Sequence, residues 1–281
     1  MSRLGPYAFA GGTAIVTGAA GGIGEALAEG LARRGSHLVL LDRQGGRLGA
    51  VAAGLRARHP GLQVATRVVD LADRAAAVDA ARAVAAGHPG TTLVVSNAGV
   101  ALAGRYDEVS LEDVEWVLDV NLRAAVVLTH ALVPVLRRNP GAHLVTVSSV
   151  YGLVAPAGQA AYAASKFGLR GLTEALRHEL AGEVGVTCVH PGGVATRIAA
   201  TARVGAGVDP ERAAAARAAF ARLLTIAPRT AAEAVLRGVE RRRPRVLVGA
   251  SARVPDLLAR AAPASYGRAL DALSAVRVAR G

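Results

Sequence analysis

A tyrosine and a lysine stand four residues apart in the sequence, at Tyr162 and Lys166. In a helix this spacing puts the phenol and the ammonium on one face. A free tyrosine has a pKa of about 10, and about 4 kcal/mol of preferential phenolate stabilisation lowers that to about 7. A nearby ammonium, aided by a further positive charge, can supply this stabilisation in a low-dielectric cleft. The pair is therefore a candidate for acid/base chemistry, although the same spacing also occurs in ordinary surface helices.

Composition draws attention to the same lysine. The sequence contains 33 lysine and arginine residues, and Lys166 is the only lysine among them. Arginine stays charged and presents a planar fork, whereas lysine is a compact charge whose pKa can be tuned. An arginine-rich chain that keeps one lysine makes that position a candidate for chemistry, with chance as the alternative.

Glycines cluster just after the first apolar run of the chain. The segment 17–24 reads TGAAGGIG, and helical periodicity follows it through Arg34. Glycines let the backbone approach a pyrophosphate closely, while the start of a helix offers free N–H groups and partial positive charge. Glycine clusters also form ordinary turns, but a strand, loop and helix that open a βαβ repeat favour a dinucleotide site. We therefore assign cofactor contacts to Gly18, Gly21, Gly22, Ile23 and Gly24.

Asp42 ends the second apolar run, 24 residues after Gly18. A carboxylate at this point can accept hydrogen bonds from both hydroxyls of an adenosine ribose, and it repels a 2′-phosphate. Arg43 works against that choice, because an adjacent guanidinium can pair with a 2′-phosphate. The sequence thus favours NAD as the cofactor and leaves NADP open, with a strand-end cap as the structural alternative for Asp42.

The elements that must position these residues alternate in type. Helical stretches separate short apolar runs at 13–17, 37–41, 64–69, 93–95, 143–147, 186–189 and 246–248. This alternation predicts βαβ units, a parallel sheet and right-handed crossovers that put helices on both faces. The predicted fold class is α/β, a Rossmann-type doubly wound parallel sheet in a single domain of residues 1–249. Within it, the Gly/Ala-rich segment 196–228 would form a lid over the cofactor.

These motifs together resemble the short-chain dehydrogenase/reductase family in its single-domain form. The resemblance implies an enzyme that interconverts an alcohol and a ketone or aldehyde with NAD or NADP. One departure is Ser96, where the family usually has asparagine. The resemblance covers Thr13 to about Gly249 and rests on TGAAGGIG, Asp70, the turn Ser96-Asn97-Ala98-Gly99, Asn121, Ser149, YAASK at 162–166, and Pro191-Gly192.

The resemblance implies a role for each matching residue. Ser149, 13 residues before Tyr162, would hydrogen-bond the substrate oxygen while Tyr162 exchanges its proton. Lys166 would lower the tyrosine pKa and hold the nicotinamide ribose, and Asn121 would anchor a proton relay to the lysine. Further cofactor contacts would come from Asp70, Leu71, Asn97, Ala98, Gly99, Pro191, Gly192, Val194 and Thr196.

The residues between Ser149 and Tyr162 border the substrate in that family. None of them is charged, which favours a neutral, apolar alcohol or ketone. Arg197 and Arg203 in the lid could instead meet a carboxylate or phosphate, so acidic substrates stay open. The expected substrate contacts are Ser149, Val150, Leu153, Gln159, Tyr162 and Gly193.

Composition limits the other functions. Apolar residues make up 52% and charged residues 19% of the sequence, which indicates a globular chain. The net charge of +12 invites nucleic-acid binding, but 3% aromatic residues and the lack of zinc-ligand spacing argue against it. The seven histidines show no grouping that would bind a metal. The single Cys188 and the lack of an apolar leader predict a cytoplasmic protein.

Residues 229–281 carry much of the positive charge, with eleven arginines against four acids. Residues 250–281 are predicted to form a basic helical extension that packs on the protein itself or across an oligomer interface. Contact with a membrane or an acidic carrier protein is the alternative. Residues 241–245, which read RRRPR, are expected to be a solvated helix end. The apolar positions of the extension are Val254, Leu257, Leu258, Ala261, Leu270, Leu273 and Val276.

Two other functions stay open. A regulator that only binds the dinucleotide would be expected to have lost part of the catalytic set, which is complete here. A sugar-nucleotide epimerase or dehydratase uses the same tyrosine and lysine but normally needs a larger carboxyl-terminal substrate domain. We therefore expect a short-chain alcohol dehydrogenase or ketoreductase that acts on a small molecule. The resemblance suggests a homodimer or homotetramer built on the helices around Asn121 and Tyr162.

Overall fold

Seven parallel strands form the central sheet of the protein. The computed structural model describes residues 4–267. Its strands are β1 (Thr13–Thr17), β2 (His37–Asp42), β3 (Val64–Val68), β4 (Thr91–Ser96), β5 (Leu102–Ala103), β6 (His143–Val147), β7 (Gly185–Pro191), β8 (Arg203–Val204) and β9 (Arg245–Val248). The large sheet has the order β3-β2-β1-β4-β6-β7-β9, while β5 and β8 pair separately. The order reverses between β1 and β4, and ligands of such sheets bind beyond the carboxyl ends of the strands at this switch point.

Helices cover both faces of the large sheet. They are α1 (Gly22–Ala32), α2 (Gly45–Arg58), α3 (Arg74–Gly87), α4 (Leu111–Leu118), α5 (Ala124–Arg138), α6 (Ala160–Glu179), α7 (Pro210–Leu223), α8 (Pro228–Glu240) and α9 (Ala250–Ala261). On one face, Leu27, Leu48 and Leu236 bring α1, α2 and α8 into one apolar core. On the other face, α3 and α5 contribute Ala80 and Leu132 to a second core. The predicted Rossmann-type doubly wound α/β fold is therefore confirmed.

Burial on both faces explains why the central strands are continuous apolar runs. Every residue of β6 and of β7 is buried. Buried polar side chains are normally found where they have a hydrogen-bond partner. His143 Nε2 contacts Thr187 Oγ1 at 2.8 Å, and Thr146 Oγ1 contacts Thr173 Oγ1 at 2.6 Å.

One helical stretch runs through α4 and α5 and contains a π-helical turn, Asp119–Arg123. Such turns inside α-helices are frequent at functional sites, and Asn121 lies in this one. By length and composition alone, the stretch is apolar enough to span a membrane. A core helix passes the same test, and Leu128 and Leu132 pack into the core beneath the sheet. The apolar side of this helix therefore serves the fold.

The segment predicted to form a lid (residues 196–228, called the lid below) packs on α4 and the residues before it, a contact that the sequence did not predict. β8 in the lid pairs in parallel with β5. Arg203 forms an ion pair with Asp113 at 3.2 Å, and its guanidinium lies 3.9 Å from the ring centre of Trp116. Arg212 pairs with Glu108. Arg203, which had been considered for an acidic substrate, is thus already engaged by the protein itself.

The arginine cluster after α8 is partly inserted into the fold. Arg242 donates hydrogen bonds to the Gly141 and Ala142 carbonyls at 2.6 and 3.0 Å. Arg245 pairs with the buried carboxylate of Asp256 on α9. The expectation of a solvated cluster is wrong for these two residues, because carbonyls and a carboxylate at the sheet edge hold them. Of the predicted apolar positions in the extension, Leu270, Leu273 and Val276 lie outside the described residues.

Candidate active site

Tyr162 and Lys166 lie together on α6, as their spacing predicts. Both side chains are buried, with 8% and 3% of their surface exposed. The Lys166 Nζ lies 5.7 Å from the centre of the Tyr162 ring. It donates a hydrogen bond to the Val147 carbonyl at 3.2 Å. Because β6 ends at Val147, the carboxyl edge of the sheet fixes the position of the ammonium.

Burial changes the protonation of both residues. It raises the pKa of Tyr162 to about 12, although a hydrogen bond with Ser149 acts against this and nearby Tyr151 adds to it. Burial also lowers the pKa of Lys166 to about 8. In the protein alone, burial is the largest influence on the pKa of Tyr162, and it acts against the phenolate. The role of Lys166 in lowering that pKa stays a prediction. At neutral pH Tyr162 keeps its proton and is first of all an acid.

Ser149 lies just after β6, where hydrogen bonds hold both its side chain and its carbonyl. Its Oγ accepts a hydrogen bond from the Tyr151 N–H at 3.1 Å. Its carbonyl lies 3.0 Å from the His190 Nδ1, which must therefore carry the hydrogen. Burial lowers the pKa of His190 to about 4, so this ring is neutral and donates at Nδ1. His190 is a supporting residue that the sequence did not reveal, because its contact with Ser149 is made across two neighbouring strands.

Asn121 completes the group through the π-helical turn. Its Oδ1 accepts from the Val100 N–H at 2.8 Å, while Nδ2 donates to the Val100 carbonyl at 3.0 Å. Nδ2 also donates to Ser165 Oγ on α6 at 3.1 Å. A Cβ built on Gly99 would lie 3.2 Å from Lys166 Nζ and 3.3 Å from Asn121 Oδ1. Asn121 and Lys166 therefore approach each other beside the Gly99 backbone, where a larger residue would be in tight contact with both.

The glycine loop joins β1 to α1 and packs on the turn after β4. Gly18 adopts φ of 67°, a left-handed conformation that suits glycine. A Cβ on Gly18 would lie 2.9 Å from Ala98 Cα, and one on Gly24 would lie 2.0 Å from the Gly18 carbonyl oxygen. Thr17 Oγ1 accepts from the Asn97 and Ala98 N–H groups, both at 3.0 Å. These contacts bring the predicted residues of both loops together at the switch point.

Asp42 faces the glycine loop from the end of β2. Its two carboxylate oxygens accept from the Ala20 and Gln44 N–H groups, both at 2.9 Å. Arg43 is exposed and makes no hydrogen bond or ion pair within residues 4–267. Asp70 lies after β3, where its side chain accepts from the Ala72 N–H at 3.0 Å. The neighbouring Leu71 contributes to a small pocket together with Thr17, Ser96, Ala98, Val120 and Asn121.

The residues at the end of β7 and just after it contact the glycine loop and pack against the lid and α9. Thr196 reaches back over the glycine loop, since a Cβ on Gly22 would lie 2.9 Å from its Cγ2. Pro191 and Val194 are buried, and Val194 bridges to Ile226 at the far end of the lid. The two glycines between them are packing positions. A Cβ on Gly192 would lie 2.1 Å from Ser251 Oγ, and one on Gly193 would lie 1.9 Å from the Leu223 carbonyl oxygen.

The six residues expected to contact the substrate differ in their burial and position. Val150 is half-buried and begins the 3₁₀ turn after Ser149, whereas Leu153 is buried with 5% of its surface exposed. Gln159, just before α6, lines a shallow depression with Leu102, Tyr106 and Val109. Gly193 packs against Leu223. Val150, Gln159 and Gly193 are thus half-buried, whereas Ser149, Leu153 and Tyr162 are almost enclosed.

The space beside the glycine loop suits a dinucleotide. A Cβ built on Gly21 would have no contact closer than 3.6 Å, so the backbone is open where α1 begins. The start of this helix offers N–H groups and partial positive charge to a pyrophosphate, and Asp42 stands where ribose hydroxyls bind in such folds. Tyr162 and Lys166 lie beyond β6, on the other side of the switch point. These residues therefore fit a nicotinamide dinucleotide that lies along the carboxyl edge of the sheet.

Solved structures of similar sequence have the same fold. A short-chain dehydrogenase from Burkholderia phymatum, in complex with NAD, has a TM-score of 0.81 and 29% identity, and the match covers 90% of this chain and 94% of that one. A short-chain dehydrogenase from Sphingobium yanoikuyae, in complex with NADPH, has a TM-score of 0.73 and 27% identity over 95% and 94% of the two chains. A nicotinamide dinucleotide is thus the cofactor of this fold, in either its NAD or its NADP form.

The amino-acid sequence agrees with known relatives over most of its length. Residues 12–206 match the family described as short chain dehydrogenase. A protein of Mycobacterium tuberculosis that carries the name oxidoreductase SadH is 40% identical over 270 residues. These residues are 94% of this chain and 95% of the relative. With its seven-stranded sheet, its dinucleotide cradle and these similarities, the chain belongs to the short-chain dehydrogenase family of NAD(P)-dependent oxidoreductases.

Proposed function

We propose that the protein interconverts an alcohol and a ketone or aldehyde, with Tyr162 as the proton-exchanging acid/base. The observation that carries this proposal is the approach of Tyr162, Ser149, Lys166 and Asn121 to one another at the carboxyl edge of the sheet. When bound, the nicotinamide supplies or accepts the hydride. The side chains of this protein handle the proton and the charge on the substrate oxygen.

In the reducing direction, Tyr162 holds the proton that the product alcohol needs. Its raised pKa of about 12 keeps the phenol neutral near pH 7. An alkoxide is a stronger base than a phenolate, so proton transfer from Tyr162 to the developing alkoxide is favourable. The Ser149 hydroxyl donates a hydrogen bond to the same oxygen and stabilises its developing charge.

In the oxidising direction, the phenolate of Tyr162 must form, and positive charge favours it. Lys166 supplies one such charge 5.7 Å from the ring centre, in surroundings where low polarity strengthens the interaction. Its pKa of about 8 leaves the ammonium largely charged at pH 7. Because the phenol loses its proton only at high pH, we expect the oxidation rate to rise as the pH is raised from neutral towards 8, the range in which Lys166 keeps much of its charge.

We further propose that NAD is preferred over NADP. Asp42 is fixed by the Ala20 and Gln44 N–H groups, and its two oxygens keep lone pairs for ribose hydroxyls. Its negative charge would repel a 2′-phosphate. Arg43 is exposed beside it and supports NADP as the second candidate.

We also propose a neutral, apolar substrate and a homodimer or homotetramer. The depression beside Gln159 is lined largely by apolar residues, and Arg203 is engaged by Asp113 and Trp116. Val126 on α5 and Phe167 on α6 turn apolar surface outward, with 40% and 38% exposed. Association through these two helices would bury that surface.

The proposal is tested by measuring NADH and NADPH formation at neutral pH with a panel of neutral primary and secondary alcohols. Tyr162→Phe removes the exchanging proton and should abolish turnover while leaving NADH binding intact. Tyr7→Phe is the matched control, since Tyr7 is also buried but bonds to Thr92 away from the site. Its turnover should equal that of the wild type.

Three outcomes would contradict parts of the proposal. Turnover that survives in Tyr162→Phe would remove Tyr162 from the mechanism. Turnover with NADPH alone would refute the preference assigned to Asp42. Tight NADH binding without turnover on any alcohol or ketone would favour a regulator that binds the dinucleotide without using it.

A further inference from the structure

Two arginine side chains from different parts of the chain meet beside Gly21. A Cβ built on Gly21 would lie 3.6 Å from a terminal nitrogen of Arg47 and 3.6 Å from a terminal nitrogen of Arg197. Arg47 belongs to α2, whereas Arg197 is the second residue of the lid. A single anionic group placed against the Gly21 backbone would therefore contact both guanidinium groups.

Contacts with uncharged groups orient the two side chains. Arg47 Nε donates to the Ala20 carbonyl at 3.0 Å. Arg197 donates to the Gln44 side-chain oxygen at 3.1 Å. Neither arginine forms an ion pair in residues 4–267, and the nearby Asp42 instead accepts from backbone N–H groups. Two positive charges are thus held near each other without a carboxylate between them.

The position of this pair also coincides with the start of α1. Gly21 is the residue before the first turn of that helix, so the partial positive charge of the helix adds to the two guanidinium charges. Like charges at short range repel, and an anion between them converts the repulsion into attraction. Guanidinium groups bind phosphate oxygens through two parallel hydrogen bonds, which makes phosphate the fitting anion.

We propose that Arg47 and Arg197 clamp the pyrophosphate of the bound dinucleotide, one from α2 and one from the lid. This inference rests on the dinucleotide site described above and adds two binding residues to it. The hydrogen bond from Arg197 to Gln44 joins the lid to the start of α2, so the clamp also connects these two parts of the chain. Arg43, by contrast, is the exposed neighbour of Asp42 and is not part of the clamp.

The test is equilibrium binding of NADH and NADPH, followed by nucleotide fluorescence, to the full chain. Arg47→Ala and Arg197→Ala should each weaken both nucleotides about tenfold, the effect expected for one charge-assisted hydrogen-bonding group. Arg47→Lys and Arg197→Lys should recover part of the affinity, because they keep the charge but lose the fork. Arg82→Ala is the matched control, since Arg82 is an exposed arginine on α3, and it should bind like the wild type.

The outcomes separate this inference from the proposed function. Thermal midpoints measured without nucleotide identify any variant that is merely misfolded, and the lysine variants then replace it in the comparison. Wild-type protein that binds neither nucleotide would refute the cofactor site as a whole. Wild-type binding with both alanine variants within twofold of it would overturn the clamp alone. A loss confined to NADPH would also overturn it, because the arginines would then meet the 2′-phosphate and not the pyrophosphate.

Discussion

Two buried histidines predict that the fold loses stability in mild acid. His143 on β6 has no exposed surface. Its Nδ1 accepts from the Arg242 guanidinium at 2.9 Å, so Nε2 carries the hydrogen toward Thr187 Oγ1. Burial lowers the pKa of His143 to about 3, and the charge of Arg242 adds to the effect. A proton on this ring would have to displace the arginine.

The size of the effect follows from the two pKa values. In the unfolded chain the pKa is 6.5, so the ring takes up nearly one proton at pH 5 while the folded protein keeps it neutral. The free energy of unfolding therefore falls between pH 7 and pH 5, by about 2 kcal/mol for His143. His190, with a pKa lowered to about 4, contributes about 2 kcal/mol more. Together, about 4 kcal/mol is a large part of the roughly 5–15 kcal/mol typical of a folded domain.

Urea unfolding at pH 7 and pH 5 measures this loss through the fluorescence of Trp116, the one tryptophan of the sequence. His143→Gln replaces the titrating ring with an amide, so the difference in unfolding free energy between the two pH values should shrink by about 2 kcal/mol. His130→Gln is the control, because His130 is exposed and its replacement should leave that difference unchanged. An equal difference in the wild type and in His143→Gln would refute the assignment of a neutral buried ring.

Three further predictions concern the cofactor cleft and the lid. Gly24→Ala places a methyl group 2.0 Å from the Gly18 carbonyl oxygen, so the loop must shift. We expect weaker NADH binding by fluorescence titration. The free energy of unfolding, measured by heat or urea, should fall by about 1–3 kcal/mol. Unchanged binding and stability would contradict the close packing. Asp42→Ala should raise the ratio of kcat/KM for NADP to that for NAD by roughly tenfold, and a constant ratio would count against the ribose assignment. Arg203→Ala removes the contacts with Asp113 and Trp116, which should weaken the packing of the lid by about 1 kcal/mol. Trypsin should therefore cleave the lid faster. An unchanged cleavage rate would show that these contacts do not hold the lid in place.

The sequence predicted the elements whose signal is local. Apolar runs marked the strands of the large sheet, and β6 occupies His143–Val147 as predicted. The spacing of Tyr162 and Lys166 was enough to put them together, because a helix converts four residues into one face. Asp42 and the glycine loop were likewise placed by the order of strand, loop and helix.

Features that depend on contacts between distant segments could not be predicted in this way. β5 and β8 are two residues long each, too short to have a periodicity of their own. The π-helical turn at Asn121 carries no distinct composition. The roles of His190 and Arg242 could not be predicted, because their partners, Ser149 and the Gly141 carbonyl, are distant in the sequence. The raised pKa of Tyr162 could not be predicted from the helix alone either, since desolvation depends on the surrounding fold.

The single lysine of this protein has a practical consequence for chemical labelling. An amine-directed reagent finds only the terminal amino group and the Nζ of Lys166 in the whole sequence. Because Lys166 is 3% exposed and its pKa is lowered to about 8, a small reagent that enters the cleft in mild alkali meets a neutral, nucleophilic amine. The extent of acylation at Lys166 therefore measures the fraction of molecules whose cleft is accessible. A bound dinucleotide should slow this acylation. Crosslinkers that join two lysine side chains will miss any contact between subunits, so the assembly has to be probed through other groups.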